Sequence, residues 1–138
     1  RLLGSPAVRG RDGQMLAGSL THRHRLALLA VLAEAGAEGT RRELIVGLLW
    51  PERDGTSARN LLRVALHEVR RALGADAVPA TGDALRLDPA HVDVDVWAFE
   101  RALEAGALEE AVARYAGPFL DGLHLDHAQE FDAWTTRT

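Results

Sequence analysis

The chain has 138 residues, which is enough to bury a core in one or two domains, and it contains no cysteine. Disulfides, thiolate metal sites and cysteine nucleophiles are therefore excluded, and the composition suits a reducing compartment. The net charge of −4 is unevenly divided, because residues 1–75 carry 12 arginines against 7 acidic residues and residues 76–138 carry 4 against 13. This asymmetry predicts a basic module joined to an acidic one.

The first segment predicts two short strands. Leu2, Leu3 and Val8 precede the turn residues Arg11-Asp12-Gly13, and Gln14 to Leu20 follow them. The chain begins at Arg1 rather than at a methionine, so we expect it to be a fragment of a longer protein.

The next element is predicted to be a buried central helix. His22 to Ala35 is apolar on nearly all sides, Thr21 can cap its start, and Gly36 and Gly39 can end it. Its apolar run is too short to span a bilayer, so we expect no membrane association.

A second, shorter helix is predicted to follow. Thr40 to Glu43 has the pattern of a capping box, and the helix reaches to about Trp50 before Pro51 closes it. Its predicted core stripe is Leu44, Ile45, Leu48 and Leu49.

The segment Ser57–Leu73 predicts a long amphipathic helix, capped by Thr56 or Ser57 and ended by Gly74. On a helical wheel its apolar arc spans roughly 140° and its polar arc roughly 120°, with Val64 and Glu68 between them. The apolar arc holds Ala58, Leu61, Leu62, Ala65, Leu66, Val69, Ala72 and Leu73. The polar arc, called the basic face below, holds Arg59, Asn60, Arg63, His67, Arg70 and Arg71.

The basic face has the dimensions of a DNA-binding helix. It runs about 18 Å along the helix, and the major groove of B-DNA is about 12 Å wide. An ordinary solvated face is the alternative interpretation, but such faces usually mix charges of both signs.

The rest of the chain predicts a hairpin and further helices. Two apolar stretches flank the turn Thr81-Gly82-Asp83, and Asp88-Pro89 ends the second. Helices are predicted over Asp95–Ala105, over Leu108–Tyr115 and from about Gln129. The residues expected to face inward are Val96, Phe99 and Leu103 in the first of these helices and Phe131 and Trp134 in the last.

Strands, three helices and a hairpin are the elements of a winged helix. We therefore predict an α+β winged helix-turn-helix over about residues 1–88, followed by an incomplete all-α segment over 93–138. About six residues separate Trp50 from Ser57, so the helix-turn-helix is looser than the strict form, whose turn has roughly 3–4 residues.

These segments resemble one family in their order along the chain. LLAVLAEAG, RRELIVGLLWPE, ARNLLRVALHEVRRALG and LRLDP are similar to the DNA-binding part of the antibiotic-regulatory (SARP-type) bacterial activators. VDVWAFERAL, YAGPFLDGL and EFDAW resemble the adjoining bacterial transcriptional activator domain, which is tetratricopeptide-like. VALHEVRRAL also resembles the recognition helix of OmpR-type winged-helix regulators.

The resemblance implies a cytoplasmic, nucleoid-associated activator of transcription. It implies binding to direct repeats in promoter DNA by a head-to-tail pair, and recruitment of RNA polymerase. By position, the residues facing the major groove are Arg59, Asn60, Arg63, Val64, His67 and Arg70. Among these, Asn60 and Arg63 are the expected base readers, since Asn pairs with adenine and Arg with guanine.

Other roles are assigned by position or charge. Ser57 and Arg71 lie where phosphates pass in the family, Ser57 through the helix N-terminus, and Thr81, Gly82 and Arg86 lie in the wing. The basic residues Arg41 and Arg42, at a helix start, are further candidates for phosphate contact. Glu52, Arg53 and Asp54 lie where OmpR-type proteins contact polymerase.

Alternatives remain for several of these residues. Arg70 or Arg71 can pair with Glu68 or another acid, and His67 can read a base or contact phosphate when protonated. Arg41 and Arg42 can be plain surface residues, as can the three residues of the polymerase loop. The wing departs from the family pattern, because Asp83 is acidic.

No other chemistry is indicated by the motifs. His22 and His24 lack a third metal ligand, and Asp121, His124, Asp126 and His127 lack helical or hairpin spacing. We expect no metal, cofactor or enzymatic activity, and we expect Trp50, Trp97 and Trp134 to be core or interface anchors. The alternative function is a winged helix that contacts proteins within a larger signalling protein and does not bind DNA.

Overall fold

The computed structural model describes Leu2 and residues 23–92, 94–107, 109 and 129–137. Its helices are α1 (Arg23–Ala35), α2 (Arg42–Leu49), α3 (Gly55–Leu73), α4 (Asp95–Glu104) and α5 (Gln129–Arg137). Its strands are β1 (Thr40–Arg41), β2 (Ala80–Thr81) and β3 (Ala84–Leu85), and a 3-10 helix covers Gly36–Glu38.

Several predicted features lie outside the described residues. They are the two N-terminal strands, the cap at Thr21, the helix Leu108–Tyr115 and the loop that contains Asp121 to His127.

The central position of α1 is confirmed. Every residue from Leu26 to Ala33 is buried, so this helix has no solvent-facing stripe over its middle. Its last turns contact α4, because the Trp97 indole Nε1 donates a hydrogen bond to the Ala33 carbonyl at 2.9 Å. The other faces of α1 pack against α2 and α3.

The described strands form one antiparallel sheet in the order β1-β3-β2. Thr40 pairs with Leu85, and Ala80 pairs with Leu85 from the other side. Gly39 permits this arrangement: its φ is +74°, and a Cβ there would lie 2.5 Å from the Leu85 carbonyl oxygen. Only glycine adopts that conformation at so close an approach without strain.

The capping box predicted at Thr40 is wrong. Thr40 lies in β1, α2 begins at Arg42, and no side chain caps it. The Arg42 amide donates instead to the Asp83 carbonyl at 3.1 Å, so the turn of the hairpin satisfies a free amide of α2.

The predicted burial of one residue in α2 and of one residue in α4 is wrong. In α2, Ile45, Leu48 and Leu49 are buried, but Leu44 is 57% exposed, because at roughly 100° per residue it lies just outside the arc that those three residues span. In α4, Val96 is buried and Phe99 partly so, whereas Leu103 is 46% exposed near the helix end.

The helices after the hairpin share the core of the helices before it. Phe131 of α5 is fully buried, and it joins a single apolar cluster with Val94, Val96 and the buried faces of α1, α2 and α3. The division at residues 88 and 93 and the tetratricopeptide-like character of the second segment therefore stay predictions. No helix in the described part of the chain is long and apolar enough to cross a membrane.

Candidate nucleic-acid interface

The helix that carries the candidate site begins earlier than predicted. α3 starts at Gly55, and its cap is Asp54, whose carboxylate accepts a hydrogen bond from the Ser57 amide at 2.8 Å. The cap predicted at Thr56 or Ser57 is therefore wrong, although an aspartate at this place matches the general preference for helix caps. The predicted end is confirmed, since Gly74 follows the last helical residue with a φ of 107°.

The inner face of α3 anchors it to the fold. Ala58, Leu62, Ala65, Leu66 and Val69 are buried, and Leu61 and Leu73 pack at the edge of the same cluster. Ala72 is exposed, so its predicted burial is wrong. Contacts with both α1 and α2 hold the helix in place, which leaves the opposite side outward.

The basic face is open to solvent along most of its length. Its exposed members are Arg59, Asn60, Arg63, His67 and Arg71, whereas Arg70 is half-buried. Val64, beside them, is 47% exposed, so an apolar side chain lies on the same open side of the helix.

Two hydrogen bonds run along the basic face between side chains one turn apart. An Arg63 guanidinium nitrogen, Nη2, donates to the Asn60 side-chain oxygen at 2.6 Å. One turn earlier, Arg59 donates to the Thr56 hydroxyl at 3.5 Å, which is long for a hydrogen bond. Arg63 is therefore the more firmly held of the two cations.

Arg70 has a different environment from its neighbours. Its Nε and Nη2 both donate to the Val78 carbonyl, at 3.2 and 2.6 Å, just before β2. This two-donor hydrogen bond to one carbonyl is called the fork of Arg70 below. Val78 itself is fully buried. The contact joins α3 to the hairpin, a role that the sequence gives no sign of.

Arg71 forms an ion pair on the surface. It lies 3.4 Å from the Glu68 carboxylate, with 70% of the arginine side chain exposed. The pairing with Glu68 predicted as an alternative is thus present for Arg71. Within the described residues, no other arginine of the basic face is in an ion pair.

The hairpin tip lies beside the start of α2. Thr81 and Gly82 are exposed and Arg86 is half-buried. The Asp83 carboxylate is 4.0 Å from the Arg42 guanidinium, so Asp83 offsets the charge of one predicted phosphate contact. Arg41 is exposed.

The loop between α2 and α3 is exposed and short. The Glu52 carboxylate lies 3.9 Å from the Arg53 guanidinium, and the Asp54 carboxylate caps α3. The loop follows Trp50, which is buried and stacks on the His24 ring at 5.3 Å. The predicted anchoring role of the tryptophans is seen for Trp50, for Trp97 through its bond to Ala33, and for Trp134, which stacks on Phe131.

In the described ranges, no three histidine, aspartate or glutamate side chains are grouped as metal ligands. Asp121, His124, Asp126, His127 and His22 lie outside those ranges.

The described elements, mostly helical with a small three-stranded sheet, are compatible with a winged helix. No protein-family model matches the chain, and no curated protein matches it in sequence. Its structure is similar to that of Mycobacterium tuberculosis EmbR, solved in complex with a low-affinity phosphopeptide, with a TM-score of 0.70 and 22% sequence identity. The match covers 99% of this chain but 40% of the EmbR chain. At this identity the likeness establishes the fold.

Proposed function

We propose that this chain is the DNA-binding portion of a SARP-type bacterial transcription activator, with α3 as its recognition helix. The observation that carries the proposal is the open basic face of α3, which is held outward by a buried inner face. The fold likeness to EmbR, a regulator of the SARP family, supports it.

The proposed base contacts lie in the middle of α3. Asn60, Arg63, Val64 and His67 are spaced by three or four residues, so they share one exposed side of the helix. Arg63 would donate to guanine and Val64 would contact a thymine methyl group, the pairings that the groove geometry favours. Arg59 would lie toward the end of the same contact.

The proposed phosphate contacts lie at the ends of the helix. The first turn of α3 offers the backbone amides near Ser57, and the last turn offers Arg71. An exposed ion pair is worth little, so Arg71 can exchange Glu68 for a phosphate. Arg41 is a further phosphate contact, and Arg42 would join it by releasing Asp83.

Arg70 would act at the edge of the groove, since its fork to Val78 leaves only its remaining N–H groups for DNA. Thr81, Gly82 and Arg86 would form the wing contact. The loop Glu52 to Asp54 would face RNA polymerase, and two chains would bind head to tail on a direct repeat. The acidic second segment would point away from DNA because like charges repel.

The test is selection from random duplexes at about 50 mM salt, a concentration at which phosphate contacts are strong. We expect one preferred sequence, and Arg63→Ala should lose discrimination at one base pair. Arg71→Ala should weaken binding to all duplexes alike and flatten the salt slope by about one unit. Arg101→Ala, which removes an equal charge from the exposed surface of α4, is the matched control.

Absence of any duplex affinity at low salt would overturn the proposal. That result would favour the alternative function, a winged helix that contacts proteins only.

A further inference from the structure

The hydrogen bond between Asn60 and Arg63 fixes which way the amide of Asn60 faces. A guanidinium has donors and no acceptor, so the amide atom 2.6 Å from Arg63 Nη2 must be the oxygen. The amide nitrogen of Asn60 therefore points away from Arg63. Both side chains are exposed and lie one turn apart on the same side of α3.

We propose that Asn60 and Arg63 read a single guanine as one unit, with Arg63 contacting the base and Asn60 acting as a positioning residue. This inference rests on the proposed function and refines it: Arg63 keeps its guanine, and Asn60, placed above among the base contacts, acts through Arg63 instead. Asn60 on this account does not read an adenine of its own.

The first support is the donor count of Arg63. A guanidinium carries five N–H groups, and Asn60 occupies one of them. Guanine needs two donors, for O6 and N7, so the arginine keeps enough for bidentate contact. The bond to Asn60 thus orients the guanidinium without using up the groups that recognise the base.

The second support is a comparison of the restraints on the basic face. Arg71 is held by the carboxylate of Glu68, which competes with DNA for its charge. Arg59 is held only by a long contact to a hydroxyl. The amide of Asn60 is neutral, so it restrains Arg63 while leaving the whole positive charge available. A side chain already held in place loses less freedom on binding.

Independent reading by Asn60 is the competing account. Bidentate contact with adenine uses both the oxygen and the nitrogen of the amide. The oxygen is already bonded to Arg63, and an adenine would have to share or displace that bond. The two accounts differ in which base pair is affected when Asn60 is changed.

The experiment compares four variants of the 138-residue chain with the parent on the duplex that the parent selects. They are Asn60→Ala, Arg63→Ala, the double variant and Thr56→Val, which removes the equivalent partner of Arg59 as a matched control. Affinities are measured for the selected duplex and for each single base-pair change, and circular dichroism melting checks that every variant is folded.

We expect Asn60→Ala to lower the preference for guanine at the base pair of Arg63 by about fivefold, which is the low end of the discrimination that a bidentate pair supplies. The double variant should discriminate no less well than Arg63→Ala, because a positioning residue has nothing left to position. Thr56→Val should keep the parent's preferences.

Three results would overturn the inference while leaving the proposed function intact. One is a loss in Asn60→Ala at a different base pair from that lost in Arg63→Ala. Another is additive loss in the double variant, and the third is unchanged discrimination by Asn60→Ala. If the parent selects no sequence at all, it is the proposed function that fails.

Discussion

Val64 is an apolar side chain set among cations, and 47% of it is exposed. In the major groove, where we propose that α3 binds, the methyl group of thymine would give Val64 an apolar contact in place of water. We therefore expect Val64→Ala to lose about 1 kcal/mol of preference for thymine at one base pair, close to the value of a buried methylene.

Replacing that thymine by uracil removes the thymine methyl group, so it deletes the DNA partner of the proposed contact instead of the protein partner. Affinity measurements should show that the uracil duplex binds the parent chain more weakly than the thymine duplex does. Val64→Ala should bind the two duplexes equally well. Equal affinity of the parent for both duplexes would show that Val64 does not contact the methyl group.

The arginines of α3 show that a sequence predicts the exposure of a side chain better than it predicts the partner of that side chain. Their places on the outer side of the helix follow from helical periodicity, and the exposed positions of Arg59, Arg63 and Arg71 agree with it. The pairing of Arg71 with Glu68 was foreseeable, because the two are three residues apart. The fork of Arg70 was not, because its acceptor, the Val78 carbonyl, lies in the segment before β2, whose path depends on the whole fold.

Arg70 joins α3 to the segment that leads into the hairpin. Its two donors satisfy the carbonyl of the buried Val78, and hydrogen bonds from charged groups are stronger than neutral ones. We expect Arg70→Met to lower the free energy of unfolding by about 1–3 kcal/mol, because the carbonyl then lacks its partner. Urea denaturation measures the change.

Arg71→Met is the matched control. It removes the same charge at the next residue of the chain, where the arginine side chain is 70% exposed. We expect it to change stability by about 0.5 kcal/mol or less. Equal losses in the two variants would mean that the fork to Val78 contributes nothing beyond the shared loss of charge.

The helix boundaries show the limit of local signals. Glycine after the last apolar residue correctly marked the end of α3, because that signal is contained in a few neighbouring residues. The capping box at Thr40 failed for the opposite reason. The group that satisfies the Arg42 amide is the carbonyl of Asp83, about forty residues further along the chain, and no local pattern reports such a partner.

In the molecule as a whole, the described helices after the hairpin share one core with α1, α2 and α3. Phe131 is fully buried in the cluster that contains α1, α2 and α3. We expect Phe131→Ala to lower the free energy of unfolding by about 3–5 kcal/mol, the usual cost of a large cavity in a core. Chemical denaturation should show one transition that shifts as a whole.

Glu130→Ala, at an exposed position next to Phe131 on α5, is the control and should leave the midpoint nearly unchanged. Two separate transitions, with only the second moved by Phe131→Ala, would instead support the division at residues 88 and 93 as one between independent folding units. The sequence correctly indicated α5 and its apolar residues but not the surface that they cover, because periodicity identifies an apolar face and not its partner.

The contact between α1 and α4 carries a pH dependence. Glu34 near the end of α1 is half-buried, and burial raises the pKa of its carboxyl above the ordinary value of 4.5, with the nearby charge of Glu100 on α4 adding to the effect. The folded state therefore favours the protonated form more than the unfolded state does. The stabilising contribution is fully present below the unfolded pKa and is lost as pH rises through the raised folded pKa.

Glu34→Gln removes this titration while keeping the shape of the side chain. We expect the variant to have a higher melting temperature than the parent at neutral pH, with the difference shrinking to near zero below about pH 4, where both carboxyl and amide are neutral. Glu100→Gln should give a smaller gain, because it removes the like charge and leaves Glu34 buried. Melting curves from pH 4 to 8, with the exposed Glu43→Gln as control, measure the effect. A gain for Glu34→Gln that is the same at every pH would show that packing of the amide, and not the charge at the contact of α1 with α4, is responsible.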